Sequence, residues 1–511
     1  MKFHFLKIES YRKGIVLSSA LNFVSKLLIF FQGVAVAYYF GTHAKTDIYF
    51  YCYSTILMVG TFVNSLDASV LIPESMRLRE QQGTDESMRF LNSFIYLYLI
   101  FGIAASLLFL LAPVDIMSRI SNFSGATLEQ SREVVLLSVP VFTLLIMTNL
   151  LVNVLTSYKF FTIPMIITSI NGIMALLFLF VFHNALNISS VLIGQIVGYA
   201  ISLVMLVYLI KKQLRWNFFL WGRRIAKPVF RNMVFAQSGN LATMLSAYAP
   251  LYLLSGFPAG VISALNYGQR TAEMPNQLIT NQVSSVAGIK YNELYARKDF
   301  QYLNDVFLST SKLLIFVLTP LSFLIFNYSE QVVTILYERG AFHGDSVHAT
   351  SEFLKLFALL LPLLAIVTNA SRLYMAGQVL KYSFYYQIIS NVTLIVLIYF
   401  GIRQFGILGF PLALLAINVL NVLVVELYVR KLFPFIRYKY VLIYLVKNIV
   451  LNVVLLFLVN LLLEQVELNP VLSFLVGSMI YVLLLLTFNF FTAFNDDINQ
   501  IVLKCKSYVF R

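Results

Sequence analysis

The sequence predicts an all-α polytopic membrane protein of about 14 transmembrane helices, arranged as two pseudo-symmetric six-helix lobes plus two extra C-terminal helices. Three observations predict it. Of 511 residues, 59% are apolar or aromatic and 12% are charged, whereas a soluble domain carries roughly 25% charged residues. Apolar runs of about 20 residues, the length that crosses a bilayer, recur along the whole chain. Basic residues, finally, are sorted between alternate connections.

Apolar runs bounded by polar clusters place the spans at 15–39, 48–72, 91–113, 134–155, 163–183, 191–210, 233–254, 261–289, 308–326, 351–371, 384–400, 407–428, 441–463 and 471–491. The eighth, VISALNYGQRTAEMPNQLITNQVSSVAGI, is too polar to face lipid all round, so one side of it must line protein or a hydrated cavity. The opening MKFHFLKIESYRKG reads as a cytoplasmic tail, because the apolar run behind it is too long for a signal peptide and lacks a small-residue cleavage site. No connection is long enough for an extramembrane domain.

With the N-terminus inside and the spans alternating, only Lys45, Arg119, Arg132, Arg339 and Arg403 of the 37 Lys and Arg fall outside. Lys26, Arg270, Lys312, Lys355 and Lys447 lie within spans, and the remaining 27 are inside. This is a positive-inside distribution with both termini cytoplasmic. It also accounts for the net charge of +14 without nucleic acid as a partner.

The longest basic connection, 211–232, is read as a cytoplasmic linker lying on anionic headgroups, with Trp216 and Trp221 at the interface. It separates a lobe at 1–210 from a lobe at 233–435, and 436–511 adds two helices and a tail. Short Gly-containing turns join spans 1 and 2 and, at the matching place, spans 7 and 8, as an internal duplication would produce.

A charge at the bilayer centre costs about 2.5–3.5 kcal/mol on insertion scales, so each needs a reason. Lys312, Lys355 and Lys447 lie close enough to span ends to snorkel. Lys26 and Arg270 lie deeper. Lys26 is accompanied by Ser25 and Gln32. In span 8, Asn266, Arg270, Glu273 and Gln277 are spaced four, three and four, on one helical face. Arg270 and Glu273 can pair at i,i+3, either as a buried ion pair fixing helix packing or as a cavity wall presenting a guanidinium to an anion. Asp67 either offsets Lys26 or caps a helix.

Other chemistries lack their residues. There is no G-x-x-x-x-G-K-[ST] phosphate loop, and His4, His43, His183, His343 and His348 have no metal-ligand spacing. Cys52 and Cys505 cannot build a disulfide framework. No enzyme activity, cofactor or metal is expected.

Spans 1 and 2 resemble the lipid II flippase family MurJ, of the multidrug/oligosaccharidyl-lipid/polysaccharide exporter group, in Ser25-Lys26, Phe40-Gly41 and Thr46-Asp47. Two further likenesses are YGQRTAEMP, with Tyr267, Arg270, Glu273 and Pro275, and YERGAF at 337–342. The chain departs from the family where Gln32 and Gly60 stand in place of cavity arginines, and where AGQVLKYSF replaces D-T-[KR]-T-P after span 10. The resemblance implies a flippase working by alternating access, with spans 13 and 14 forming a lateral groove for the lipid tail.

The expected substrate is a polyprenyl-pyrophosphate-linked saccharide, lipid II first, with an O-antigen, capsule or exopolysaccharide precursor as the alternative. Lys26 and Arg270 would hold the pyrophosphate, and Asn266, Gln277 and Gln32 the head group, beside Glu273. Membrane lipids are the other partner, and a monomer is expected. A cation-coupled multidrug exporter of the same fold is the competing class, but it would favour an acidic first span.

Overall fold

The computed structural model describes residues 11–220, 227–464, 466 and 468–495. All regular structure among them is helical, since hydrocarbon leaves each segment to satisfy its own backbone groups. The chain divides into two compact units.

The first unit takes residues through Ser263 together with Arg339–His343. It contains α1 (Tyr11–Phe40), α2 (Ala44–Leu66), α3 (Ile72–Gln82), α4 (Thr84–Leu111), the short α5 (Pro113–Ile120) and α6 (Gly125–Gln130), α7 (Arg132–Ser157), α8 (Ile163–Leu186), α9 (Ser189–Leu214) and α10 (Lys227–Leu254). A π-helical turn, Asp67–Leu71, joins α2 to α3 as one continuous rod. Polar side chains rivet neighbouring helices. Ser25 Oγ lies 3.1 Å from Met165 O and 2.9 Å from Ser169 Oγ, and Asn153 Nδ2 donates to Asn64 Oδ1 at 2.7 Å.

The expected lobe boundaries and these units differ. Gln237 Nε2 donates to Phe62 O at 2.9 Å and Asn240 Nδ2 to Ser65 Oγ at 2.8 Å, so α10 packs on α2 and belongs to the first unit. The linker also departs from its reading. Trp216 is not at an interface: it is 3% exposed, and its Nε1 donates to Asn92 Oδ1 at 2.9 Å. Asn92 Nδ2 in turn donates to the carbonyls of Asn217 and Leu220. One buried amide on α4 thus holds residues 216–220 down. Trp221 lies outside the described residues.

The second unit comprises Ala264–Glu338 and Gly344 onward. Its helices are most of α11 (Val261–Pro275), then α12 (Asn281–Ala296), α13 (Phe300–Asn327), α14 (Ser329–Tyr337), α15 (Asp345–Ala358), α16 (Leu360–Ala376), α17 (Leu380–Phe405), α18 (Gly409–Leu432), α19 (Lys439–Leu463) and α20 (Pro470–Thr492). Its core gathers Tyr291, Phe307, Ile366, Val425, Phe433 and Tyr438. The last two helices are part of this packing. Asn327 and Asn460 exchange amide hydrogen bonds at 3.2 and 3.1 Å, and Tyr481 OH donates to Asn452 Oδ1. Lys447 is exposed on α19, as snorkelling requires, while Lys312 faces the Tyr444 ring at 5.9 Å.

By length and composition, ten described helices are apolar enough to cross a membrane, or eleven if the bent pair α15–α16 is one span. The count of fourteen is reached by three further steps. The 49-residue stretch Phe384–Leu432 holds two helices, α17 and α18, joined at Gly406–Leu408. Helix α10 and the α11–α12 rod are long enough to cross but more polar than the other ten.

Removing the buried amide tests the linker anchor. Asn92→Ala leaves the Trp216 Nε1–H and two carbonyls unpaired, which should destabilise the segment by roughly 2 kcal/mol. Limited proteolysis within 211–226 should accelerate severalfold; an unchanged cleavage rate would refute the anchoring.

Candidate functional site

The polar helix of the second unit is built from two opposed faces. Tyr267 is buried, and its ring centroid is 5.4 Å from that of Tyr337. One turn on, Thr271 Oγ1 lies 2.8 Å from Tyr337 OH. Gly268 lies against α15, where Thr350 O and Leu354 N would each be 3.0 Å from a Cβ. That face is closed. The other carries Asn266, Arg270, Glu273 and Gln277, all half-buried, so the structure brings these four expected residues together on one stripe. Burial pushes the Tyr337 phenol up to about 12, and the Arg270 charge works against that shift.

Glu273 Oε1 accepts from Gln269 Nε2 at 2.7 Å, an i,i+4 bond along the same helix. Beyond Pro275, the π-helical turn Asn276–Thr280 inserts one extra residue per turn and so rotates the face that α12 presents. Asn281 and Ser285 emerge exposed four and eight residues after Gln277, so the polar stripe continues down α12.

Lys26 and Gln32 belong to the first unit. Lys26 is half-buried and, among the described residues, makes no hydrogen bond or ion pair. Gln32 is not its neighbour in direction. It shares the inward face of Ser25, seven residues away, and lines a cavity of about 290 Å³ together with Tyr53, Asn149, Asn171, Gln195 and Tyr199. Gly60 borders the same cavity, and Leu145 Cδ2 stands 2.3 Å from where a Cβ would be, so α7 fills the place where a larger side chain would begin. Among the described residues Asp67 makes no ion pair with Lys26; it stands at the C-terminal end of α2. It is fully buried at the π-helical turn and accepts from Tyr98 OH at 2.6 Å.

The likenesses noted at the turns converge in space within the first unit. Gly41 has φ +55° and Gly340 φ +63°, conformations that favour glycine. A Cβ on Gly41 would come 2.4 Å from Ala341 O, and one on Gly340 2.2 Å from Tyr38 O. Ala341 N donates to Tyr38 O at 2.7 Å, so Phe40-Gly41 and the YERGAF turn are two halves of one contact. Beside it, Asp47 accepts from Gly260 N (2.6 Å), Ser263 N (2.8 Å) and Ser263 Oγ (2.6 Å), clasping the start of α11 to α2. Sequence reasoning assigned Asp47 no role and passed over the cavity amides. The legible signal was an amide inside each of several apolar spans.

A family model, that of the lipid II flippase MurJ, matches residues 36–485. The chain belongs to the MurJ family. A probable lipid II flippase MurJ from Borreliella burgdorferi is 23% identical over 420 residues, covering 80% of this chain and 81% of that protein. The structure described as lipid II flippase MurJ, inward closed conformation, superposes with a TM-score of 0.78 at 22% identity, covering 93% of this chain and 98% of that one. An inward-facing multidrug resistance MATE family transporter of the MOP superfamily gives 0.64 at 12% identity over 83% and 99%. At those identities the likenesses establish fold, and the family match distinguishes the MurJ branch from the exporter branch.

The Asp47 clasp carries its own test. Asp47→Ala strands two backbone N–H groups, each worth about 1–3 kcal/mol when buried without a partner, while the Ser263 hydroxyl keeps the Gly260 carbonyl at 3.1 Å. Amide hydrogen exchange over 258–264 should quicken by an order of magnitude or more, with the rest of the unit little changed. Protection equal to wild type would show the clasp to be incidental.

Proposed function

We infer that this MurJ family member translocates lipid II across the bacterial inner membrane for peptidoglycan synthesis. It is a multi-pass transporter and not an enzyme, and its substrate is a lipid-linked saccharide. The physical need is specific: a pyrophosphate and sugars cannot enter hydrocarbon unaided, while a polyprenyl tail can stay in it. The observation that carries the reading is the half-buried polar face of α11, among mostly apolar helices, with a guanidinium at its centre.

In this reading Lys26 and Arg270 bind the pyrophosphate, the planar fork of Arg270 taking two oxygens at once. Asn266 and Gln277 bond the head group, and Gln32 serves the cavity of its own unit. Glu273 keeps the site from being too basic to release its cargo. Residues 1–210 and 233–435 act as the two lobes of an alternating-access cycle, with 211–232 as cytoplasmic linker and 436–511 completing the path of the tail. Both termini are cytoplasmic.

One observation favours a second head group within the same class. Gln32 and Gly60 stand where the family has arginines, and the place beside Gly60 is filled by Leu145. A cavity with fewer cations suits a less anionic cargo, such as an O-antigen or capsule precursor. Export of organic cations is disfavoured by the same charges, because the site is net basic.

Two experiments test the reading. Arg270→Ala should abolish lipid II translocation at near-normal protein abundance, and Arg270→Lys should retain part of it, since the charge survives but the bidentate fork does not. Full translocation by Arg270→Ala would remove Arg270 from the mechanism. For orientation, a cysteine placed at position 220 in a Cys-free background should resist an impermeant maleimide in intact cells, and one at position 343 should react. The opposite pattern would invert the topology.

A further inference from the structure

Arg372, on the penultimate turn of α16, has an unusual setting. Its aliphatic stem lies along Gly288 of α12, where a Cβ would stand 3.2 Å from Arg372 Cδ and 3.4 Å from its Cβ. Its Nη2 is 3.4 Å from Ser285 Oγ and its Nη1 is 4.0 Å from Met375 Sδ. Its Nε is buried with no partner, and among the described residues no carboxylate pairs with it.

Several other described arginines have the counter-charge that Arg372 lacks: Arg77, Arg89, Arg132 and Arg297 each pair with a glutamate three or four residues earlier in the chain. The stretch TNASRLYMAG around Arg372 contains no acid. A half-buried guanidinium with five N–H donors therefore meets only weak, neutral acceptors. Snorkelling alone would carry the side chain toward lipid headgroups. This one lies instead across α12, at Ser285, on the polar stripe that runs back through Asn281 and Gln277 to Glu273 and Arg270.

We propose that Arg372, laid over the Ser285–Gly288 surface of α12, is an anion-binding station that takes the pyrophosphate of the lipid-linked substrate at one end of the stripe leading to Arg270. The proposal rests on the flippase reading and adds a residue to it. Gly288 leaves room for the arginine stem, Ser285 steers the guanidinium, and the lack of a counter-charge leaves its fork to a phosphate oxyanion. It also supplies a basic group that Gln32 and Gly60 do not.

The test is direct binding of farnesyl pyrophosphate to the full-length protein in nanodiscs, by calorimetry, in phosphatidylcholine alone and with phosphatidylglycerol added. Arg372→Ala should weaken binding by about tenfold or more in both lipids. Arg372→Lys, which keeps the charge and guards against a folding defect, should fall between. Thermal midpoints equal to wild type would assign the loss to the site. If Arg270→Ala abolishes binding and Arg372→Ala leaves it unchanged, the station is overturned and the flippase reading stands. If Arg372→Ala alters affinity only where phosphatidylglycerol is present, the residue serves bulk lipid and the proposal also fails. If the wild type binds no pyrophosphate in either lipid, both readings fall together.

Discussion

Hydrocarbon supplies no hydrogen-bond partners, and most of this structure is a response to that one fact. Backbone groups are satisfied within helices, so all regular structure among the described residues is helical. Side-chain amides and hydroxyls inside spans must find one another, and they do so between helices: Ser25 with Ser169, Asn64 with Asn153, Asn327 with Asn460, Tyr291 with Asn369 and Ser311. Each such bond is worth only about 1 kcal/mol in a membrane. Its greater effect is on uniqueness, because a slipped helix would strand both partners in oil. Against this background, the polar side chains of α11 and α12 stand out because they are only half-buried or exposed.

The same economy shapes the contacts at the turns of the first unit. Gly41 and Gly340 let two turns meet backbone to backbone, and one carboxylate, Asp47, holds Gly260 and Ser263. A few directional hydrogen bonds, each costly to leave unmade once buried, fix the register of these turns within the unit.

Much of this was legible from residue order, because span length and charge sorting follow from bilayer thickness and membrane insertion rather than from tertiary detail. The stripe Asn266–Arg270–Glu273–Gln277 was readable for the same reason, since helical periodicity alone fixes which residues share a face. What periodicity cannot supply is the partner. Glu273 takes a hydrogen bond from Gln269, four residues back, a partner that the charge pattern did not single out. Trp216 looked interfacial because tryptophan usually is, yet one amide, Asn92, 124 residues away in sequence, draws it into the interior. The π-helical turns at Asp67–Leu71 and Asn276–Thr280 leave no compositional trace, and each changes the face presented by everything beyond it.

The charge pattern of the open face reflects a demand that binding alone would not impose. A carrier must hold its cargo firmly enough to capture it and loosely enough to release it on the far side. A pyrophosphate surrounded by arginines in a low-dielectric cavity would be trapped, because unscreened attraction at short range reaches several kcal/mol per pair. This chain has Arg270 with Glu273 one turn away, and sets Arg372 further down the same stripe, on a second helix. Cations spaced along a path, each flanked by neutral amides and hydroxyls, divide one deep well into several shallow ones. Successive shallow wells let an anion advance by exchanging one partner for the next, so the sparseness of basic residues here is itself a feature suited to transport.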